Sequence, residues 1–395
     1  MSYGRCAAGM ASLVIAMLAL QLAALHADAI GISFDVKQYE RQRVLAAADR
    51  YMGEKPITLT ALPATRSAGG EHDYYSEADY YWPNPQNPNG PYINRDGQSN
   101  PSNFNDHRHA LIRLSIQEPA LVAAFVISGE RKYADHAIDH LRAWFVDDAT
   151  KMNPNLQYAQ AVRNLNTGRS IGIIDTLHLV EVARSIVVLR DQKALDPADD
   201  AAITRWFADY LHWMLTSDHG ITEGKAKNNH ATCYWLQVAE FAKVMGDNTA
   251  LDECRKRFKE QLMPQIAEDG SFPQELRRTK PYSYSMFNMD QMCALAHVLS
   301  TPQEDLWEWG PPDHPSLHKA VEYMYPFVKD KSTWPKKPDV MFFEYWPVRT
   351  MTWLSAAREF NEPKYLDLWK SLPADPTNDE VIRNVPLRQP VLWMD

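Results

Sequence analysis

From residue 105 onward, apolar side chains recur at three- and four-residue spacing, as in Leu177, Val180, Ala183 and Val187. That spacing places them on one face of a helix. It predicts helices over 105–128, 130–146, 170–190, 197–216, 229–246, 249–267, 283–300, 315–330, 347–360 and 363–371, with one more at 35–52. Alternating patterns are nearly missing, and Val340–Tyr345 is the best short strand candidate. Helices that follow one another in pairs predict an all-α fold. The expected form is an incomplete (α/α) toroid of helical hairpins, built as one domain over 30–395.

Residues 53–103 break this rhythm. Five Pro and five Asn fall between positions 83 and 101, and neither a helix nor a strand period survives. A stretch this long inside a folded domain reads as an ordered binding loop or lid, here near the N-terminus. Tyr74, Tyr75, Tyr80, Tyr81, Trp82 and Tyr92 crowd it. Flat aromatic faces suit the C–H surfaces of sugar rings. They serve equally to pin the loop onto the helices.

The extreme N-terminus has its own pattern. Arg5 precedes the apolar run Met10–Leu25, and His26-Ala27-Asp28-Ala29 supplies a small-x-small end. These are the parts of a secretory signal peptide, taken as residues 1–29. The expected location is periplasmic or secreted. No later stretch reads as apolar enough to span a bilayer, so no membrane contact is expected after cleavage.

Length and composition fit a large buried core: 395 residues, 45% hydrophobic. A net charge of −9 argues against nucleic acid or anionic lipid as a partner. Four cysteines exclude a cystine framework; Cys233, Cys254 and Cys293 read as buried thiols or one disulfide plus a thiol. His107 and His109 point in different directions on a helix, which disfavours a metal pair. No nucleotide, zinc-protease or serine-hydrolase motif is present, and neither a cofactor nor a metal is expected.

Two segments carry candidate chemistry. Lys225-Ala-Lys227-Asn228-Asn229-His230 opens a helix. One Asn is explained as an N-cap, but Asn-Asn-His together is not. Amide and imidazole donors at a helix N-terminus make a seat for a carboxylate. The second segment runs from Glu275 through Arg277, Arg278, Lys280, Tyr282 and Tyr284 to Asn288. A phenol among several cations is expected to have its anionic form stabilised.

These residues resemble the alginate lyase-like polysaccharide lyases with an (α/α) toroid. The match rests on Asn229-His230, on Arg277 seven residues before Tyr284, on the aromatic Pro-rich lid, and on Asn166-Thr-Gly-Arg169-Ser-Ile-Gly-Ile-Ile-Asp175. It covers about residues 60–300. The resemblance implies that Asn229 and Arg277 neutralise a substrate carboxylate, that His230 assists, and that Tyr284 is the acid/base. Tyr80, Tyr81, Trp82, Tyr92, Arg108, Arg169, Lys227, Arg278 and Tyr282 are the expected substrate contacts. The lid Asp79–Tyr92 departs from that of alginate lyases secreted by alginate-producing bacteria and looks closer to glucuronan-cleaving relatives.

The implied reaction is β-elimination on a 1,4-linked polyuronate, with an anionic polysaccharide as partner and the chain acting as a monomer. The H5 proton becomes acidic only when the C6 carboxylate is neutralised. A base then removes it while an acid protonates O4. In mannuronate and glucuronate both groups lie on one side of the ring, so Tyr284 alone could serve. Guluronate favours a pair on opposite faces, such as His230 with Tyr284. Two other classes stand beside this reading: a toroidal glycoside hydrolase using carboxylates such as Asp175 and Glu223, and a non-catalytic glycan-binding protein.

Overall fold

The computed structural model describes residues 32–310 and 314–394. The signal-peptide pattern lies outside the described residues. Fourteen helices are found among those described: α1 (Val36–Tyr51), α2 (Asp106–Ser128), α3 (Arg131–Phe145), α4 (Leu179–Asp191), α5 (Pro197–Thr216), α6 (Asp218–Glu223) and α7 (Asn229–Met245). They continue with α8 (Asn248–Arg257), α9 (Pro273–Leu276), α10 (Pro281–Leu299), α11 (Leu317–Lys329), α12 (Met351–Glu359), α13 (Pro363–Ser371) and α14 (Asp379–Arg383).

The expected (α/α) toroid is found. α2, α4, α7, α10 and α12 contact one another in succession and form the inner row. α3 backs α2, α5 and α8 back α7, α11 packs on α10 and α12, and α13 backs α12. The rows differ as their positions require. α10 buries nearly every side chain from Pro281 to Leu299, whereas α3 and α11 keep a polar face for solvent. α2 is long and apolar enough by composition to cross a membrane, contrary to the sequence reading, but most of it is buried inside the protein. Cys233, Cys254 and Cys293 are buried free thiols.

Helix ends follow local chemistry. Asp35 and Asp196 cap α1 and α5 through their carboxylates, and Pro197 takes the first turn of α5, where an amide hydrogen is not needed. Gly129 and Gly246 end α2 and α7 in the left-handed region, at φ +74° and +68°.

The predicted helix at 170–190 begins as a 3₁₀ stretch, Ser170–His178, before α4. The one predicted at 249–267 ends in a π turn and a 3₁₀ turn over Phe258–Gln265, with Pro264 in the latter. Val340–Tyr345 is not a strand; Phe343–Tyr345 is a 3₁₀ turn. The strands lie instead in and beside the long loop: β1 (Tyr75–Glu77), β2 (Tyr81–Trp82), β3 (Ile93–Asn94) and β4 (Tyr158–Ala161). β1 pairs parallel with β4, and β2 antiparallel with β3.

The lid is thus built rather than loose. Glu77 anchors its base, accepting from Arg66 at 2.6 and 2.9 Å, from Arg163 at 3.0 and 2.9 Å, and from the Phe104 amide at 2.8 Å. Burial alone would raise the Glu77 carboxyl, but the two guanidinium groups and the amide hold it down at about 2. The C-terminal segment closes the ring from the other side. The amides of Arg388 and Gln389 and the Trp393 indole all donate to Glu181 on α4, at 2.8 to 3.0 Å.

Candidate active site

A cleft of about 140 Å³ lies where the lid, the start of α7, the start of α10 and α14 meet. Its walls include Tyr80, Tyr81, Gln160, Arg169, Asn229, His230, Arg278, Tyr284 and Arg383. A larger groove of about 540 Å³ lies elsewhere, between α1, α2 and α14, and is mainly apolar. The smaller cleft brings together a histidine, three arginines and three tyrosines, and chemistry rather than size marks the site.

The two asparagines before α7 divide their work. Asn228 caps the helix, its side-chain oxygen accepting from the His230 amide at 3.4 Å. Asn229 is freed from capping and turns to Glu275 on α9, donating its backbone amide at 2.8 Å and Nδ2 at 2.7 Å. The helix N-terminus is therefore partly occupied by a protein carboxylate, where the sequence suggested a seat for a ligand alone. Nδ2 retains a second hydrogen that this geometry leaves for a ligand.

His230 donates from Nδ1 to Glu223 at 2.6 Å. Burial disfavours an imidazolium, but the Glu223 carboxylate outweighs it, and the ring is raised above its usual value. Nε2 has no partner among the described residues and is available as a donor. A histidine so paired is suited to neutralising an anion.

Tyr284 sits one turn into α10 and donates its hydroxyl to Tyr80 at 2.8 Å. The Arg278 guanidinium lies 4.6 Å from its ring centroid. The sequence predicted a phenol with a lowered value. The structure reverses this: burial pushes Tyr284 well above the ordinary phenol, Tyr80 adds to the rise, and the lowering by Arg278 is outweighed. At neutral pH the group is an uncharged phenol.

The guanidinium in the cleft belongs to Arg278, not Arg277. Arg277 is exposed and lies off the walls, because the turn after α9 points successive side chains apart. Arg278 is held by Asp96 of the lid through Nε at 3.1 Å and Nη2 at 2.6 Å, which leaves Nη1 unpaired among the described residues. Burial works against the Asp96 carboxyl, but Arg278 holds it below the usual range. Arg169 also lines the cleft, with no carboxylate partner among the described residues. Its bonds go to Gln160 and to the Tyr81 hydroxyl at 3.3 Å, and its guanidinium stacks 4.8 Å from the Tyr81 ring.

Other expected contacts lie elsewhere. Arg108 is buried under the cleft, bonded to Asp79 at 2.6 Å and Asp175 at 3.1 Å. Tyr282 is a core residue that donates to the Phe327 carbonyl at 3.0 Å. Lys227 is exposed and lines a separate groove. Trp82 and Tyr92 belong to the lid framework: Trp82 donates to the Gln98 carbonyl at 2.9 Å, and Tyr92 accepts from Arg163 at 3.2 Å. His107 bridges the Tyr75 amide and the Leu62 carbonyl, at 3.0 and 2.8 Å. Among the described residues no group of three or more His, Cys, Asp or Glu side chains could hold a metal ion.

Sequence reasoning missed Arg383. Its guanidinium reaches Asp79 and lies 3.3 Å from the Tyr80 hydroxyl, tying α14 to the lid. Burial would lower Arg383, yet Asp79 and Glu380 leave it strongly charged. Its only signal was Asn378, which caps a five-residue helix opening on Asp379 and Glu380. Asp175, weighed earlier as a hydrolytic carboxylate, accepts from Tyr74, Ser76, Arg108 and Gln160, so both its oxygens are occupied.

The Alginate lyase family model matches residues 58–334. The chain belongs to the alginate lyase family. It is a polysaccharide lyase. Among solved structures it is similar to an alginate lyase from Bacteroides ovatus, 28% identical, covering 91% of this chain and 95% of that one, with a TM-score of 0.75. It shares its fold with an alginate lyase from Sphingomonas species A1, at 16% identity, 92% and 91% coverage and a TM-score of 0.54. A variant of alginate lyase A1-III solved with a tetrasaccharide is similar at 14% identity, 91% and 94% coverage and a TM-score of 0.55. None of the curated proteins matches the chain in sequence.

Proposed function

We propose that the protein cleaves a 1,4-linked polyuronate by β-elimination, leaving a 4,5-unsaturated uronate at the new non-reducing end. The observation that carries this is the meeting, in one cleft, of the Tyr284 phenol with three groups able to hold a carboxylate: Asn229, His230 and Arg278. Alginate is the first substrate to consider, because the Bacteroides ovatus relative bears that name. Mannuronate and glucuronate differ only at C2, away from the reacting atoms, so the same groups also suit β-1,4-glucuronan.

The chemistry follows from the geometry. The C6 carboxylate of the sugar binds between Nδ2 of Asn229, Nε2 of His230 and Nη1 of Arg278. Their donors stabilise the enolate-like charge that forms as H5 leaves. With His230 paired to Glu223 and its Nε2 given to the substrate carboxylate, Tyr284 is left as the group for H5. Its own proton must first leave to bulk water, by way of the Tyr80 hydroxyl to which it is bonded. The phenolate takes H5, the C4–O4 bond breaks, and the new phenol returns the proton to O4. A single residue on one face fits mannuronate and glucuronate. Arg169 and Tyr81 flank the cleft and supply a cation and a ring for a neighbouring sugar.

The N-terminal signal pattern supports a periplasmic or secreted location, where such polymers are met. One chain supplies every group named, which supports action as a monomer. Incubation with polymannuronate, polyguluronate and oxidised cellulose tests the reading. Growth of ultraviolet absorbance from a C4=C5 bond supports it, and unchanged absorbance on all three rejects it.

A further inference from the structure

Beside the cleft runs a second groove of about 550 Å³, lined by Lys225, Lys227 and Arg257 and by glutamines at 261, 265 and 274. Lys225 and Lys227 are exposed and make no ion pair among the described residues. Arg257 is paired with Glu253 at 2.6 Å, and Glu260 is the one carboxylate on the groove wall. Two free ammonium groups on a chain of net charge −9 are a local reversal of sign.

The groove is built rather than incidental. Gln261 donates to the carbonyls of Gly224 and Ala226, at 2.8 and 2.9 Å, and so fixes the backbone on which both lysines stand. Gln265 accepts from Asn288 of α10 at 2.9 Å. The groove is linked to the cleft through the chain. Lys225–Lys227 lead directly into Asn229-His230, and Gln274 on the groove wall precedes Glu275, the partner of Asn229.

We infer that this groove is a second binding site for an anionic polysaccharide, holding uronate residues of the same chain beyond those in the cleft. Lys225 and Lys227 meet carboxylates as point charges, and the Gln274 amide meets hydroxyl groups. Pro264 and Pro273 give apolar faces for the ring C–H surface. The inference rests on the polyuronate reading and adds to it a preference for long substrates.

The test compares wild type with the double variant Lys225→Glu/Lys227→Glu on long polymannuronate and on tetramannuronate. Neither lysine touches the cleft, so kcat and the tetramer KM should stay unchanged. The polymer KM should rise by about fivefold to tenfold, and its dependence on salt should flatten. An unchanged polymer KM, or an equal loss on both substrates, would overturn the inference. Direct titration of long polymannuronate into both proteins, each also carrying Tyr284→Phe, gives a readout free of turnover. Weaker binding by the lysine variant supports the groove, and equal binding rejects it. Failure of the polyuronate reading would show differently, as wild type that makes no unsaturated product from any polymer.

Discussion

Glu223, buried at the end of α6, accepts a hydrogen bond from Nδ1 of His230 at 2.6 Å. That contact sets the role of the histidine. It raises the imidazole above its usual value, fixes the ring, and leaves Nε2 toward a ligand. Glu223→Gln should lower the imidazole value and move the loss of the charged ring to lower pH. At neutral pH kcat/KM should fall about tenfold, and the alkaline limb of the pH profile should shift downward. An unaltered profile would show that the ring charge is irrelevant.

Arg277 and Arg278 are neighbours in sequence with different surroundings. Arg278 faces the cleft and is clamped by Asp96; Arg277 faces solvent. Arg278→Ala should cost about 10²–10³ in kcat, as loss of a donor to developing charge does. Arg277→Ala should stay within about twofold of wild type, as surface substitutions do. Steady-state kinetics on polymannuronate separates the two.

Glu77 holds the lid base, and its carboxyl lies at about 2 against an ordinary 4.5. A lowered carboxyl stabilises the fold above its unfolded value. That contribution, on the order of 3 kcal/mol, is lost as pH falls from about 4.5 to about 2. Thermal denaturation should therefore show Glu77→Gln less stable than wild type at pH 7, with the gap closing as pH falls through that range. An equal gap at every pH would assign the loss to packing rather than charge.

The helical ring was legible because its spacing is repetitive: α2, α7 and α10 lie within a residue or two of their predicted spans. Asn229, His230 and Tyr284 were also legible, since each sits at the start of a strongly apolar helix. Register in the turn before α10 was not. One residue separates a guanidinium in the cleft from one in water, and periodicity carries no information in a turn. Arg383 was hidden for another reason. It joins the lid across 304 residues, through a contact that only tertiary packing creates. The Tyr284 value was misjudged because adjacent cations were visible in the sequence and burial was not.

The neutral phenol of Tyr284 also sets the dependence on pH. Tyr284 is raised above the ordinary phenol, so its base form grows as pH rises through the neutral and alkaline range. Polymer cleavage should rise with pH across that range until His230 loses its proton. A profile falling steadily from pH 6 would place the base elsewhere.

The central claim is that the Tyr284 phenol moves the proton, and Tyr284→Phe tests it most directly. The side chain keeps its shape and loses only the hydroxyl that bonds to Tyr80. The appearance of the C4=C5 absorbance from polymannuronate should fall by about 10³ or more, while circular dichroism and Tm stay close to wild type. Full cleavage by this variant would contradict the account.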